Sequence, residues 1–160
     1  MLKTRFIAVA LTCAVMVGYA QPPKNAATVT GTEPLPETAA ATLSLAQQGD
    51  ADAQNTLGVM YEKGDGVAQN DAEAVRWYQL SARQGYAVAQ YNLARMHVLG
   101  RGVEQNDAEA VRLFQLAAKQ GDVDAQYMLG LMHAEGRGVT QNHAEAVRLF
   151  QLAAKQGNAG

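Results

Sequence analysis

A sequence period of 36 residues restricts the fold of this 160-residue chain more than any other feature. Gly49, Gly85, Gly121 and Gly157 lie 36 residues apart, and several alanine, glutamine, leucine and methionine positions recur with the same step. The second and third repeats match at 26 of 36 positions, and the first and third at 22 of 36. A fixed period of about 20 to 50 residues is typical of proteins built from stacked units. The sequence therefore predicts three repeats, over residues 49–84, 85–120 and 121–156.

The apolar pattern within each repeat predicts two helices, which we call helix A and helix B. In the first repeat, helix A covers about residues 50–62, because Ala53, Leu57 and Tyr61 fall on one helical face. Helix B covers about residues 71–84, and glycine-containing turns follow both helices. One such hairpin cannot bury its own apolar face, whereas about three stacked repeats can. We therefore predict an all-α fold, an α-solenoid of three 36-residue helix-turn-helix repeats forming a short right-handed superhelix.

An asparagine stands directly before each predicted helix B, at Asn70, Asn106 and Asn142. A glutamate follows three residues later in every repeat, as at Glu73. This spacing predicts a capping box, in which each side chain binds a backbone N–H at the start of the helix. Residues 37–48 precede the first repeat and are predicted to form a degenerate helix.

The first 20 residues have the layout of a secretory signal peptide, with a basic start, an apolar run and small residues before a cleavage point after Ala20. An uncleaved anchor and a lipoprotein modified at Cys13 are the alternatives. Residues 21–38 contain all four prolines, which predicts a disordered tether ahead of a repeat domain over residues 39–160. We therefore expect a periplasmic or secreted protein that contacts a membrane only through an uncleaved signal segment.

The repeated motif resembles that of a known family. In the first repeat, A-x-A-Q-x-x-L-G-x-M-Y-x-x-G-x-G-V covers Ala51–Val67, and A-x-x-W-Y-x-x-A-x-x-Q-G covers Ala74–Gly85. This pattern is similar to the Sel-one-like repeat, a subclass of the tetratricopeptide-like α-solenoids, and the resemblance covers residues 49–157. Ala94 replaces the helix A glycine in the second repeat. The resemblance implies that helix A lines a concave face and that the protein is an adaptor, a regulator or an immunity-type binder.

Composition and motifs argue against several classes of function. The formal net charge is −2, so the basic footprint of a nucleic-acid-binding protein is missing. Cys13 is the only cysteine, and a Cys/His zinc cluster cannot be built from it and three histidines. His97 and His133 lie one repeat apart and are expected to be partly buried helix A aromatics. No catalytic motif is present, and the Gly64-x-Gly66 turn recurs in every repeat. We therefore expect no enzyme activity, no cofactor and no metal site.

Comparison of the repeats places the candidate binding surface on helix A. Residues Ala108–Gln120 and Ala144–Gln156, in helix B, are identical, whereas helix A differs between repeats. A helix that only packs against its neighbours can keep the same sequence in every repeat. A surface that recognises one specific partner is expected to differ in sequence from repeat to repeat. Trp77 lies in the repeated helix B motif and is predicted to belong to the core. The predicted protein-binding residues, which we call the helix A surface, are Asp52, Thr56, Val59, Tyr86, Val88, Asn92, Arg95, Val98, Leu99, Asp124, Met128 and Leu131.

The last helix B is predicted to expose part of its apolar flank, because no further helix A follows in this sequence. This flank includes some of Val147, Phe150, Leu152 and Ala154, and it is predicted to support self-association or partner docking.

Together these features predict an exported, non-catalytic protein–protein interaction module. The alternative is a cell-wall or β-lactam-directed hydrolase of the type of the cysteine-rich relatives, which the absence of cysteine from the mature chain disfavours. A structural protein of the cell envelope is a third class, distinguished by the lack of saturable binding.

Overall fold

The computed structural model describes residues 36–157, and this part of the chain contains seven α-helices and no strand. Helices α2, α4 and α6 are the predicted helices A, and α3, α5 and α7 are the predicted helices B. The two helices of the first repeat lie within one residue of their predicted bounds. The helices are α1 (Glu37–Gln47), α2 (Ala51–Lys63), α3 (Asp71–Arg83), α4 (Ala87–Leu99), α5 (Asp107–Lys119), α6 (Val123–Glu135) and α7 (His143–Lys155).

Each helix packs mainly against the helices before and after it in the chain, from α1 on α2 through to α6 on α7. This order of contacts is that of a solenoid, so the predicted all-α fold of three helix-turn-helix repeats is confirmed. Helix α1 packs against α2 in the place of a preceding helix B, as its degenerate sequence predicts. It begins at Glu37, so residues 37 and 38, which the sequence places in the tether, are helical.

Small residues let neighbouring helices approach closely. Ala74, Ala110 and Ala146 occupy the same position in the three helices B, and each is at most 2% exposed. The rings of Tyr78 and Phe114 are fully buried beside them. Burial of one such large side chain contributes roughly 1.5–3 kcal/mol, so the ring at this position is a major source of stability in the first two repeats.

A line of glutamine side chains joins the two helices of each repeat in the interior and binds helix A to the helix that precedes it. Gln84 Nε2 donates to Gln54 Oε1 at 2.8 Å, and the two later repeats reproduce this bond at 2.9 Å. Gln54 Nε2 in turn donates to the carbonyl oxygen of Ala46 at 3.1 Å. The buried amides of this line are therefore paired, which removes the cost of about 1–3 kcal/mol that each unpaired group would carry.

The asparagine caps are present, but the predicted capping box is wrong. Asn70 Oδ1 accepts from the backbone N–H of Glu73 at 3.1 Å, and Asn106 and Asn142 do the same one and two repeats later. The N–H of Asn70, however, donates to the carbonyl oxygen of Tyr61 at 2.8 Å. Helix A therefore satisfies the donor that the glutamate would have bound, and Glu73 faces Arg76 instead, with 3.4 Å between Glu73 Oε1 and Arg76 Nη1.

The turn between helix A and helix B rests on the preceding repeat. Gly102 has a φ of +67°, and a Cβ atom there would overlap the backbone carbonyl of Asp71 at the start of α3. Beside this contact, Arg101 holds the Asp71 carboxylate through two hydrogen bonds of 2.7 and 3.0 Å. Gly138 and Arg137 repeat both contacts against Asp107. Only glycine fits this approach, which explains why the second glycine of each of these turns is needed.

Candidate protein-binding surface

The helix A surface runs along one face of α4 and continues onto α2 and α6. Val88, Arg95 and Leu99 lie on the same face of α4, because residues at this spacing align along a helix. Val88 is 43% exposed and Leu99 is 55% exposed. Apolar side chains grouped in this way on one helical face are suited to being covered by a protein partner.

The other predicted residues range from exposed to buried. Those on the surface of α2 and α6 include Asp52, Thr56 and Asp124, which are exposed. A second group is half-buried and presents one edge to solvent: Val59, Tyr86, Arg95, Val98, Met128 and Leu131.

Asn92 departs from the prediction that it contacts a partner. It is only 8% exposed, and its Nδ2 donates to Asn55 Oδ1 at 3.0 Å. The Asn92 Oδ1 atom accepts from Arg95 Nη1 at 3.4 Å. Both polar atoms of the amide are therefore used within the protein, and the burial of Asn92 assigns it to the packing of α4 on α2.

A tyrosine–carboxylate bridge links the first two repeats on this surface. Tyr86 occupies the N-cap position of α4, and its hydroxyl donates to Asp52 Oδ1 at 2.5 Å. This hydrogen bond, and to a lesser degree burial, raises the pKa of Tyr86. Like an ordinary tyrosine hydroxyl, it is protonated at neutral pH, and its hydrogen bond holds the exposed Asp52 carboxylate in a defined position.

Glu62 is the centre of a charged cluster where the first two repeats meet. Its Oε1 accepts from Arg95 at 3.3 Å and from Arg101 at 3.4 Å, and its Oε2 accepts from the Tyr78 hydroxyl at 2.8 Å. Burial, followed by this hydrogen bond, raises the pKa of Tyr78. The Arg95 guanidinium carbon also lies 5.9 Å from the centre of the Tyr91 ring. Arg95 is thus held in one orientation while 32% of its side chain remains exposed.

Glu62, Tyr91 and Tyr127 complete this surface but are not among the predicted binding residues, although comparison of the repeats shows that Glu62 differs from its counterparts Val98 and Ala134. Tyr127 is 43% exposed, and its ring centre lies 5.4 Å from that of Phe150. Tyr91 occupies the same position in α4 and packs on Phe114 at 5.8 Å. A search for differences between repeats overlooks a tyrosine that two repeats share. The signal that could have found Tyr127 is its place one turn after Asp124 on the same face of α6.

Several residues outside the helix A surface have structural roles. Asp50 and Asp122 cap α2 and α6, each accepting a backbone N–H three residues later at 2.7 and 2.8 Å. Trp77 is half-buried and packs against the core, as predicted. His97 and His133 are half-buried, and the Nδ1 atom of each is buried without a hydrogen-bond partner among the described residues.

The flank of α7 is exposed, as the sequence predicts. Val147 is 53% exposed and Leu152 is 37% exposed, while Phe150 is half-buried. In the identical sequence of α5, Val111 is 6% exposed and Phe114 is fully buried, because α6 packs on that helix. The same residues are therefore core in one repeat and surface in the next.

Two further observations concern the described residues 36–157. They include no group of three or more side chains that could hold a metal ion. None of their helices is both long enough and apolar enough to cross a membrane. The predicted signal peptide and most of the predicted tether lie outside these residues.

Comparisons with solved structures agree with the fold. A Sel1 repeat protein from Oxalobacter formigenes is 38% identical with a TM-score of 0.69, and the match covers 75% of this chain and 90% of that one. A protective antigen of uropathogenic Escherichia coli with an SLR fold is 41% identical with a TM-score of 0.72, and the match covers 73% of this chain. The matched part is 25% of that antigen. Cysteine-rich protein B of Helicobacter pylori, 19% identical with a TM-score of 0.60 over 76% of this chain and 92% of that one, shares the fold alone.

The comparison with curated protein sequences gives no match. The family model for the Sel1 repeat matches residues 51–86, 87–122 and 123–158, which together span each helix pair described above. On the evidence of these three consecutive matches, the chain belongs to the Sel1 repeat family.

Proposed function

We propose that this protein is a non-catalytic protein-binding module whose helix A surface recognises one specific partner. Sel1 repeat proteins are in general protein-interaction modules, which supports the general class. The identity of the recognising surface rests on one observation. Exposed apolar side chains at Val88, Leu99 and Tyr127 lie among polar groups that internal contacts hold in place.

Fixed side chains favour binding because little conformational freedom is lost when a partner covers them. The Tyr86–Asp52 bridge and the Glu62 cluster hold these side chains in place before a partner binds. Arg95 offers a cationic group beside the apolar residues, and Asp52 offers an anionic one. The partner is therefore expected to present an apolar segment flanked by both signs of charge.

The place of action follows from the predicted signal peptide. We propose that the protein acts outside the cytoplasm, in the periplasm or after secretion. The hydrolase alternative gains no support from the likeness to cysteine-rich protein B, because a match at 19% identity carries the fold alone.

We propose that the exposed flank of α7 is a secondary surface for self-association or docking, since the same sequence in α5 is covered by a helix.

The test is crosslinking of the full-length protein in the cells that produce it, followed by mass spectrometry. One variant carries Val88→Glu and Leu99→Glu, which place two charges on the helix A surface. The matched control carries Ala68→Glu and Gln115→Glu, which add the same charge at exposed positions outside both the helix A surface and the α7 flank.

A partner that the control retains and the helix A variant loses is the expected result. Equal recovery from both variants would remove the helix A surface from the proposal and favour the α7 flank. Absence of any enriched partner would favour the structural or enzymatic class instead.

A further inference from the structure

A pocket of about 470 Å³ lies between α3 and α5, with α4 as its floor. We call it the α3–α5 pocket. Its apolar lining comes from Ala82, Leu93, Leu113 and Leu116. Its volume lies within the range of about 300–1,000 Å³ that is usual for binding pockets. None of its lining residues belongs to the helix A surface, so the pocket opens on a different side of α4.

The repeat symmetry shows what kind of group fits this place. Position 113 corresponds to Trp77 in the first repeat, and position 97 corresponds to Tyr61. Tyr61 is 8% exposed, and Trp77 packs against the core. The second repeat has Leu113 and His97 at these positions, and both line the pocket. The first repeat therefore places two large rings of its own where the second repeat has smaller side chains beside an open space.

The polar edge of the pocket also suits an aromatic ring. Arg112 is bound to Glu109 through two hydrogen bonds of 2.6 and 2.8 Å, which hold its guanidinium plane in one orientation. The Arg112 side chain is nevertheless 57% exposed, so its charged group remains accessible at the edge. An arginine held in this way favours the face of an aromatic ring through cation–π attraction and stacking.

We propose that the α3–α5 pocket receives an aromatic side chain, a tryptophan or a tyrosine, from a protein partner. One face of the ring would pack on the leucines of the floor and wall, and the other face would meet the guanidinium of Arg112. Tryptophan and tyrosine are over-represented among the residues that dominate binding energy at interfaces. The pocket then provides a second anchor point that is separate from the helix A surface.

The first experiment is an NMR titration of the full chain with N-acetyltryptophanamide, which carries the indole ring without a charged backbone. Saturable shifts at Leu93, His97 and Leu113 are expected. N-Acetylleucinamide is the matched probe, and it is expected to bind at least about tenfold more weakly, a difference of about 1.4 kcal/mol.

The second experiment fills the pocket with the residue of the first repeat. Leu113→Trp is expected to abolish the shifts, because its indole occupies the site of the probe. Leu149→Trp makes the same change at the equivalent position of the third repeat, outside the pocket, and is expected to leave the affinity unchanged. Circular dichroism establishes that each variant is folded. If Leu113→Trp does not fold, Arg112→Ala replaces it, with an expected loss of affinity of about tenfold.

The proposal is overturned if the wild-type chain shows no saturable shift, or if the pocket variant binds the probe as the wild type does. It is independent of the helix A proposal. The Val88→Glu, Leu99→Glu variant is expected to lose the crosslinked partner while retaining the titration with N-acetyltryptophanamide, so failure of one proposal is distinguishable from failure of the other.

Discussion

The contact between Gly58 and Tyr78 gives a test of how tightly the first repeat is packed. A Cβ atom at Gly58 would lie 2.6 Å from two carbons of the Tyr78 ring. Carbon atoms pack at about 3.5 Å or more, so the ring would have to move by about 0.9 Å. Tyr78 is fully buried, and its hydroxyl is bound to Glu62 at 2.8 Å, which opposes this movement.

The expected cost of Gly58→Ala follows from three contributions. Overpacking of a buried site costs about 1–3 kcal/mol. Loss or distortion of the hydrogen bond to the charged Glu62 adds about 1.5 kcal/mol. Alanine recovers up to about 1 kcal/mol because it favours the helix more than glycine does. With the full gain from alanine, we therefore expect a net destabilisation of about 1.5–3.5 kcal/mol.

The other repeats supply the controls for this substitution. The second repeat has Ala94 and Phe114 at these two positions, and both are fully buried. The third has Gly130 and Phe150, and Phe150 is half-buried without a hydroxyl to hold it. Gly130→Ala is therefore expected to change stability by less than about 1 kcal/mol, because the Phe150 ring can turn towards solvent.

The assay is urea unfolding followed by circular dichroism, with a double-mutant cycle between Gly58→Ala and Tyr78→Phe. The cost of Gly58→Ala is expected to fall below about 1 kcal/mol in the Tyr78→Phe background, because the released ring can shift as Phe114 does. The reasoning is refuted if Gly58→Ala is as stable as the wild type, or if its cost is the same in both backgrounds.

Three further changes test other parts of the structure, each by the same unfolding assay. Gly102→Ala is expected to reduce the free energy of unfolding by about 3 kcal/mol or more, because its Cβ would meet backbone that cannot move aside. Gly85→Ala has open space around it and is expected to cost only about 1–2 kcal/mol, the penalty of a left-handed backbone for alanine. Equal costs for the two substitutions would contradict the close approach at Gly102. Asn92→Ala is expected to cost about 1–3 kcal/mol by leaving the buried Asn55 unpaired, and a neutral effect would return Asn92 to the partner surface. Burial raises the pKa of Asp122 above its unfolded value, so its contribution to stability is present in acid and lost as the pH rises through the folded pKa. Asp122→Asn keeps the cap acceptor and is expected to be more stable than the wild type at neutral pH. This gain is expected to disappear as the pH falls below the unfolded aspartate pKa of about 3.9, and destabilisation at pH 7 would contradict the reasoning.

The fold could be predicted from the sequence because its evidence is local and repeated. The apolar spacing around Leu57 and the cap at Asn70 each involve residues within one or two helical turns, and both features recur in every repeat. The recurring Gly-x-Gly pattern predicts only that Gly102, the counterpart of Gly66, lies in a turn. Its contact with Asp71 joins residues in different repeats, and a turn motif alone does not indicate what the turn rests on.

The candidate site was harder to predict, because the orientation of a helix face towards a neighbour is a tertiary property. Asn92 differs between repeats and was therefore assigned to the surface, although its partner Asn55 lies on the adjacent helix A. Glu62 is bound by Tyr78 of α3, Arg95 of α4 and Arg101 of the turn that follows α4, and no single stretch of sequence brings them together. Comparison of the repeats finds positions where the residue differs from one repeat to the next. It does not distinguish a residue that binds a partner from one that pairs with another residue of the same protein.

Two ion pairs between successive repeats, Arg101–Asp71 and Arg137–Asp107, each join residues 30 positions apart. Helix B also has the same sequence in the second and third repeats from Ala108 and Ala144 onward. Loss of residues 108–143 would join Asp107 to Ala144 and shorten the chain by one whole repeat of 36 residues. Every contact at the new junction would have a counterpart that already exists in the present chain. Unequal recombination within such a gene could therefore change the reach of the protein in steps of one helix pair, without any new interface having to evolve.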